Sequence, residues 1–171
     1  MKTALIAAAA LLLAACASMS PEPLRATAAL QPTKGSKTFG EATFEQVGGK
    51  VKVTNFVQGL RPGQEHGLHI HEKGDCSSGD GMSTGGHFNP QGKPHSHHAD
   101  ANRHAGDLPS LKAGKDGRAK VDVELDVITV GSGPTDVIGR GLIVHADPDD
   151  FRTQPTGNAG ARIACGVIKA G

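Results

Sequence analysis

The sequence contains no tryptophan and no tyrosine, and only five phenylalanines. Aromatic rings therefore cannot fill its interior, and a core must be built from Val, Ile, Leu and Ala. Charge of either sign fails to predominate: the formal net charge is +1, with no basic run, which argues against a nucleic-acid partner. No internal repeat is present, and beyond the N-terminal segment there is no amphipathic helical pattern, so a helical bundle is excluded. Glycine and proline are abundant instead, at 24 and 10, implying many turns and long loops. At 171 residues the chain suits one domain with a real core.

The only long apolar run opens the chain, "MKTALIAAAALLLAAC". A lysine followed by about a dozen apolar residues reads as an export signal and is too short to span a bilayer. Its "LAAC" ending resembles a bacterial lipobox. On that reading residues 1–15 are a signal peptide, Cys16 becomes the lipidated first residue, and residues 16–23 form a tether to a domain over 24–171. Ala17 after the cysteine favours the outer membrane by resemblance to lipoprotein sorting rules. The alternative is an ordinary signal cleaved after an A-x-A-like site. Two further cysteines remain, Cys76 and Cys165. In an oxidising exported compartment a disulfide between them is the default, against two unpaired buried thiols.

Period-two alternation recurs along the rest. It runs through "EATFEQ", through "KVKVTNFV" with Val51 and Val53 on one face, and through "GLHIHE". "RAKVDVELDVITV" follows, with Val121, Val123, Leu125 and Val127 on one face, then the shorter "GLIVHAD" and "ARIACGVIK". Gly48-Gly49 between two such runs is a hairpin signal. The expected fold is all-β, a Greek-key antiparallel sandwich or barrel. From Glu72 to Asp107 the periodicity disappears. An irregular segment of that length inside one domain needs an anchor or a function.

All nine histidines fall between positions 66 and 145. His69 and His71 are two apart on a strand, so both leave the same face. His87, His95 and His104 follow at spacings of eight and nine, with Asp107 three residues later. Three imidazoles and a carboxylate make a closed tetrahedral set that zinc accepts. His145, near the end of another strand, is free to meet the His69/His71 pair. All-imidazole sites with an open position suit copper, zinc or iron, and the absence of cysteine from the cluster argues against a thiolate zinc knuckle.

"HGLHIHEKGDC", "GGHFNP", "RHAGDLP", "VHADPDD" and "GNAGARIACGVI" together resemble the copper/zinc superoxide dismutases, in order, from about Lys37 to the C-terminus. The resemblance implies copper held by His69, His71, His87 and His145, and zinc held by His87, His95, His104 and Asp107. His87 would bridge both. It implies Asp149 as a carboxylate linking ligands of the two sites, Arg162 as the arginine that attracts and orients a small anion at the copper mouth, and a Cys76–Cys165 disulfide. The implied activity is conversion of superoxide to dioxygen and hydrogen peroxide by copper(II)/copper(I) cycling, with zinc structural. Two departures are visible. Cys76 sits closer to His71 than in the animal enzymes, a bacterial-looking feature, and the charged loop before "GNAG" shrinks to "FRTQPT". Lys73 is then a candidate for guiding superoxide. His97 and His98 are expected to be bystanders, and His66 to pack or hydrogen-bond beside its strand. Expected partners are superoxide and a membrane reached only through lipid on Cys16; a homodimer is compatible with the sequence. Two rivals are a non-catalytic periplasmic copper/zinc-binding module of the same fold and a zinc hydrolase. The hydrolase would want a carboxylate base beside an open zinc position.

Overall fold

The computed structural model describes residues 24–171; the signal and lipidation readings fall outside them. Ten strands are present among the described residues: β1 Arg25–Pro32, β2 Phe39–Val47, β3 Lys50–Gln58, β4 Glu65–His66, β5 Leu68–His71, β6 Leu111–Lys112, β7 Ala119–Leu125, β8 Gly141–His145, β9 Arg162–Val167 and β10 Lys169–Ala170. Among the described residues the helical content is one 3-10 turn, Met82–Thr84. Every ladder is antiparallel, in the order β5-β8-β9-β1-β2-β3-β7, with β10 beside β1 and β4 paired to β6. The sheet curls over a single core as a Greek-key β-barrel, so the expected fold class holds.

Alternation is what puts the core inside. Ala26, Ala28 and Leu30 of β1, Ala42 and Phe44 of β2, and Val51, Val53 and Val57 of β3 are all buried, while their neighbours along each strand face outward. The Gly48-Gly49 signal marks the β2–β3 hairpin, where Val47 pairs Lys50 and Gly48 takes φ 58°, a conformation glycine adopts without steric cost. β1 carries no strand signal strong enough to read, because its inward face is two alanines and one leucine. β7 stops at Leu125, short of its apolar pattern. The chain bends at Asp126 and Val127, and Ile128 and Val130 then enter the core without a ladder.

All four residues of β5 are buried. Leu68 and Ile70 face the barrel interior as expected; His69 and His71, on the other face, lie under the long irregular segment. The main chain of that segment is stitched to β5 through the backbone of Ile70. The Ile70 N–H donates to Gly106 O (2.9 Å), the Phe88 N–H donates to Ile70 O (2.8 Å), and the Gly106 N–H donates to Phe88 O (2.9 Å). Gly106 must be glycine, since a Cβ there would lie 2.2 Å from the Ile70 carbonyl oxygen. Cys76 and Cys165 form a disulfide across 89 residues of sequence, fixing the start of the segment to β9.

Candidate metal centre

The site grows from strand ends. His69 and His71 come from β5, His145 from the end of the adjacent β8, and His87 forms an isolated bridge with His71. A register shift between Val144 and His145 brings His145 opposite Arg162 of β9. His69, His71, His87 and His145 converge with one ligand atom each within 4.8 Å of the others.

Hydrogen bonds fix which nitrogen each ring presents. His69 Nε2–H donates to Asp149 Oδ2 (2.6 Å), His71 Nδ1–H to Gly85 O (2.9 Å) and His145 Nδ1–H to Gly160 O (3.2 Å). Each ring thereby keeps its other nitrogen bare. The atoms left over are His69 Nδ1, His71 Nε2, His87 Nε2 and His145 Nε2, all buried and without a hydrogen-bond partner. Four orphaned lone pairs in one dry place are costly unless a cation takes them. Protonation of three of these rings, His71, His87 and His145, is suppressed too. Burial, reinforced by the neighbouring imidazoles, lowers His71 and pushes His87 and His145 down to about 3. At neutral pH those three rings offer lone pairs, as metal ligands must.

The second cluster, His87, His95, His104 and Asp107, is equally buried. Asp107 Oδ1 lies 3.0 Å from His87 Nδ1, 3.0 Å from His95 Nδ1 and 3.3 Å from His104 Nδ1. The Nδ1 atoms of His87 and His104 are 3.3 Å apart. A tetrahedral ion bound at the usual zinc–nitrogen distance has ligand–ligand edges of about 3.3 Å, so these separations fit zinc without rearrangement. Main-chain N–H groups of Ser96 (3.1 Å) and His104 (3.0 Å) hold the other oxygen, Oδ2, and so aim Oδ1. In the absence of metal the pairing also shifts protons. Burial alone would lower His95, but Asp107 and Asp149 outweigh it and raise the ring to about 9. Asp107 is held far below the usual carboxylate range by its three histidine partners, against the upward push of burial.

Asp149 stands between the clusters. Its Oδ2 receives His69 Nε2–H at 2.6 Å, and its Oδ1 receives His95 Nε2–H at 2.9 Å and the Phe151 N–H at 2.7 Å. Gly157 is pressed against this bridge; a Cβ there would meet Asp149 Oδ1 at 2.0 Å and His95 Nε2 at 2.5 Å. Arg162 faces the copper-type cluster, where its charge helps to lower His71 and His145. Its guanidinium donates to Gly81 O (2.7 Å), Thr84 Oγ1 (2.9 Å) and Gly85 O (2.8 Å), so neutral acceptors orient it and its charge is kept.

The remaining histidines lie outside both clusters. His66 is fully buried, and its Nδ1–H donates to His145 O at 2.9 Å, which ties a metal-facing strand end to β4. His97 and His98 lie against each other with ring centroids 4.0 Å apart and planes tilted by 41°, and His97 meets the Phe151 ring edge-on. One contributor gave no sequence signal. Arg140 places its guanidinium 4.4 Å from the centre of the Phe88 ring and donates to Glu72 O at 2.8 Å. It thus braces the residues that follow His87 and His71.

The family model of the copper/zinc superoxide dismutases matches residues 38–168. The Cu-Zn superoxide dismutase 2 of Brassica juncea is 46% identical over 151 residues, covering 84% of this chain and 96% of the relative. The crystal structure of the clock protein EA4 superposes with a TM-score of 0.79 at 42% identity, covering 88% of this chain and 97% of that one. With two imidazole-rich clusters sharing one ring on a Greek-key barrel, and with likeness over most of its length, the chain belongs to the copper/zinc superoxide dismutase family, oxidoreductases that use copper and zinc.

Proposed function

We propose that the chain disproportionates superoxide to dioxygen and hydrogen peroxide in the bacterial cell envelope. His69, His71, His87 and His145 hold copper, and His87, His95, His104 and Asp107 hold zinc. The observation that carries this reading is the double allegiance of His87. Its Nδ1 belongs to the tetrahedral set and its Nε2 is one of the four orphaned nitrogens.

When bound, copper supplies one-electron cycling between its two oxidation states, and zinc supplies charge and structure. The chain does the rest. Arg162 draws the small anion in and orients it with directed donors. His87 can hold a proton at Nε2 and release it there, since its Nδ1 is committed to the zinc side. Asp149 keeps the His69 and His95 rings from turning. Across the two half-reactions of one cycle, two superoxide ions and two protons give one dioxygen and one hydrogen peroxide. A non-catalytic metal-binding module would lack part of the copper set or the mouth arginine, and here both are complete. A zinc hydrolase is disfavoured because the zinc set is closed by four protein ligands.

Protein loaded with both metals should remove superoxide, and selective chelation of copper should abolish this while zinc stays bound. Activity that survives copper removal refutes the mechanism. His87→Ala should impair both metals together; loss of copper alone, with zinc binding intact, refutes the bridge.

The envelope setting rests on the "MKTALIAAAALLLAAC" leader and on a disulfide suited to an oxidising compartment. On this reading residues 1–15 are removed, Cys16 bears lipid, residues 16–23 are a tether and residues 24–171 are the catalytic domain on the outer membrane. Incorporation of labelled fatty acid that persists in Cys16→Ser would rule out the anchor.

A further inference from the structure

We infer that Gln154 is a positioning residue of the zinc ligand set, acting through the backbone of His95. The inference rests on the assignment of His95 as a zinc ligand.

The four members of the set are not held alike. His87 is carried by the weave at Phe88 and Ile70. His104 and Asp107 hold each other, with the Asp107 N–H on His104 O at 3.3 Å and the His104 N–H on Asp107 Oδ2 at 3.0 Å. At His95 the set contributes only the Ser96 N–H, which donates to Asp107 Oδ2 at 3.1 Å from the following residue. Among the described residues the His95 main-chain N–H and C=O have one partner each, and both belong to a single side chain. The His95 N–H donates to Gln154 Oε1 at 2.8 Å, and Gln154 Nε2–H donates to His95 O at 2.8 Å. The amide thus closes a two-point pairing of the kind a neighbouring strand would otherwise supply.

Gln154 is in turn presented by a segment that is organised without the zinc loop. Asp150 accepts the N–H groups of Arg152 (2.9 Å) and Thr153 (2.8 Å) on Oδ1 and the Thr153 hydroxyl (2.6 Å) on Oδ2. The Asp150 N–H donates to Gly157 O (2.9 Å), and the Gly157 N–H to Thr153 O (2.7 Å). These bonds organise the stretch "FRTQPT" from within. The same segment reaches the His95 ring through Asp149. It therefore grips one zinc ligand at both its ring and its main chain, and works as a strap over the zinc loop.

The pairing needs a donor and an acceptor on one planar group. Gln154→Ala removes both. Gln154→Glu keeps the shape and the acceptor but sets a carboxylate oxygen against the His95 carbonyl. If the two-point pairing positions the ligand, both variants should weaken zinc binding about tenfold or more, the scale expected for outer partners of metal ligands. Competition with a zinc chelator reads this directly. Cobalt in the zinc site gives an independent readout, and both variants should change its visible absorption, which reports ligand geometry rather than stability.

Wild-type zinc affinity and cobalt spectrum in both variants, even with a lowered melting temperature, would reduce Gln154 to a loop stabiliser and overturn the inference. A Glu variant indistinguishable from wild type would overturn the two-point pairing. Failure of the wild-type protein to take up zinc or cobalt would instead overturn the site assignment on which this rests.

Discussion

Replacing Asp149 by asparagine changes one atom's chemistry and little of its shape, and the structure says where the damage falls. Asp149 accepts three N–H donors: His69 Nε2 on one oxygen, and His95 Nε2 and Phe151 N on the other. Asparagine offers one oxygen and one NH2 group, so one side must face donor against donor. His69 sits on β5, paired to Ile143 of β8, and cannot retreat. His95 and Phe151 lie in irregular segments and can. The amide oxygen should therefore stay with His69, and His95 should lose its anchor. A hydrogen bond to a charged acceptor contributes about 2 kcal/mol, which corresponds to roughly thirtyfold in zinc affinity. Copper binding, with all four of its rings still placed, should fall much less. Chelator competition for each metal on the folded, disulfide-bonded protein measures both. A zinc affinity within about threefold of wild type would refute the carboxylate's role, and a loss confined to copper would refute the argument about which side moves.

Two further outcomes follow from the electrostatics and the cross-link. In metal-free protein, burial holds His71, His87 and His145 below 6.5. The unfolded chain then binds more protons, so stability should fall as pH drops from 6.5 toward about 3. His95, raised from 6.5 to about 9, acts oppositely: its contribution is complete below 6.5 and is lost as pH rises through about 9. Urea midpoints of the metal-free protein should peak near neutrality, and zinc should remove the alkaline decline; a steady rise across the alkaline arm refutes the His95 assignment. The Cys76–Cys165 bond spans 89 residues, a closure worth roughly 4–5 kcal/mol in the chain-entropy model. Its double replacement by serine should lower the melting temperature of the metal-free protein by roughly 10–20 °C. A drop of under about 3 °C would contradict that ledger.

The strands that could be read from the sequence are those whose inward residues are large enough to stand out, as with Val51, Val53 and Val57 of β3. β1 escaped because Ala26 and Ala28 contrast weakly with Thr27 and Ala29. The two-residue strands β4, β6 and β10 escaped because a period needs more than one repeat. His69 and His71 were legible as a same-face pair, and their neighbours by spacing and resemblance. What the sequence withheld was the supporting cast. Arg140 lies 52 residues from Phe88 along the chain, and Gln154 lies 59 from His95. Nothing local distinguishes a glutamine that pairs with a distant backbone from one that faces water.

The weave at Ile70 divides the protein into regions with different freedom to diverge. Four of the six rings in the two clusters, those of His69, His71, His87 and His104, are within one or two positions of Ile70, Phe88 or Gly106, and Ile70 is itself a core residue. Mutations that repack the barrel beneath β5 are therefore transmitted to the metals, so core and centre must be inherited together. By contrast, the outer parts of the same segment, Ser77–Asp80 and Ala99–Asn102, are exposed and contribute no metal-facing ring. Insertions, deletions and new surface chemistry can accumulate there while the chemistry underneath stays fixed.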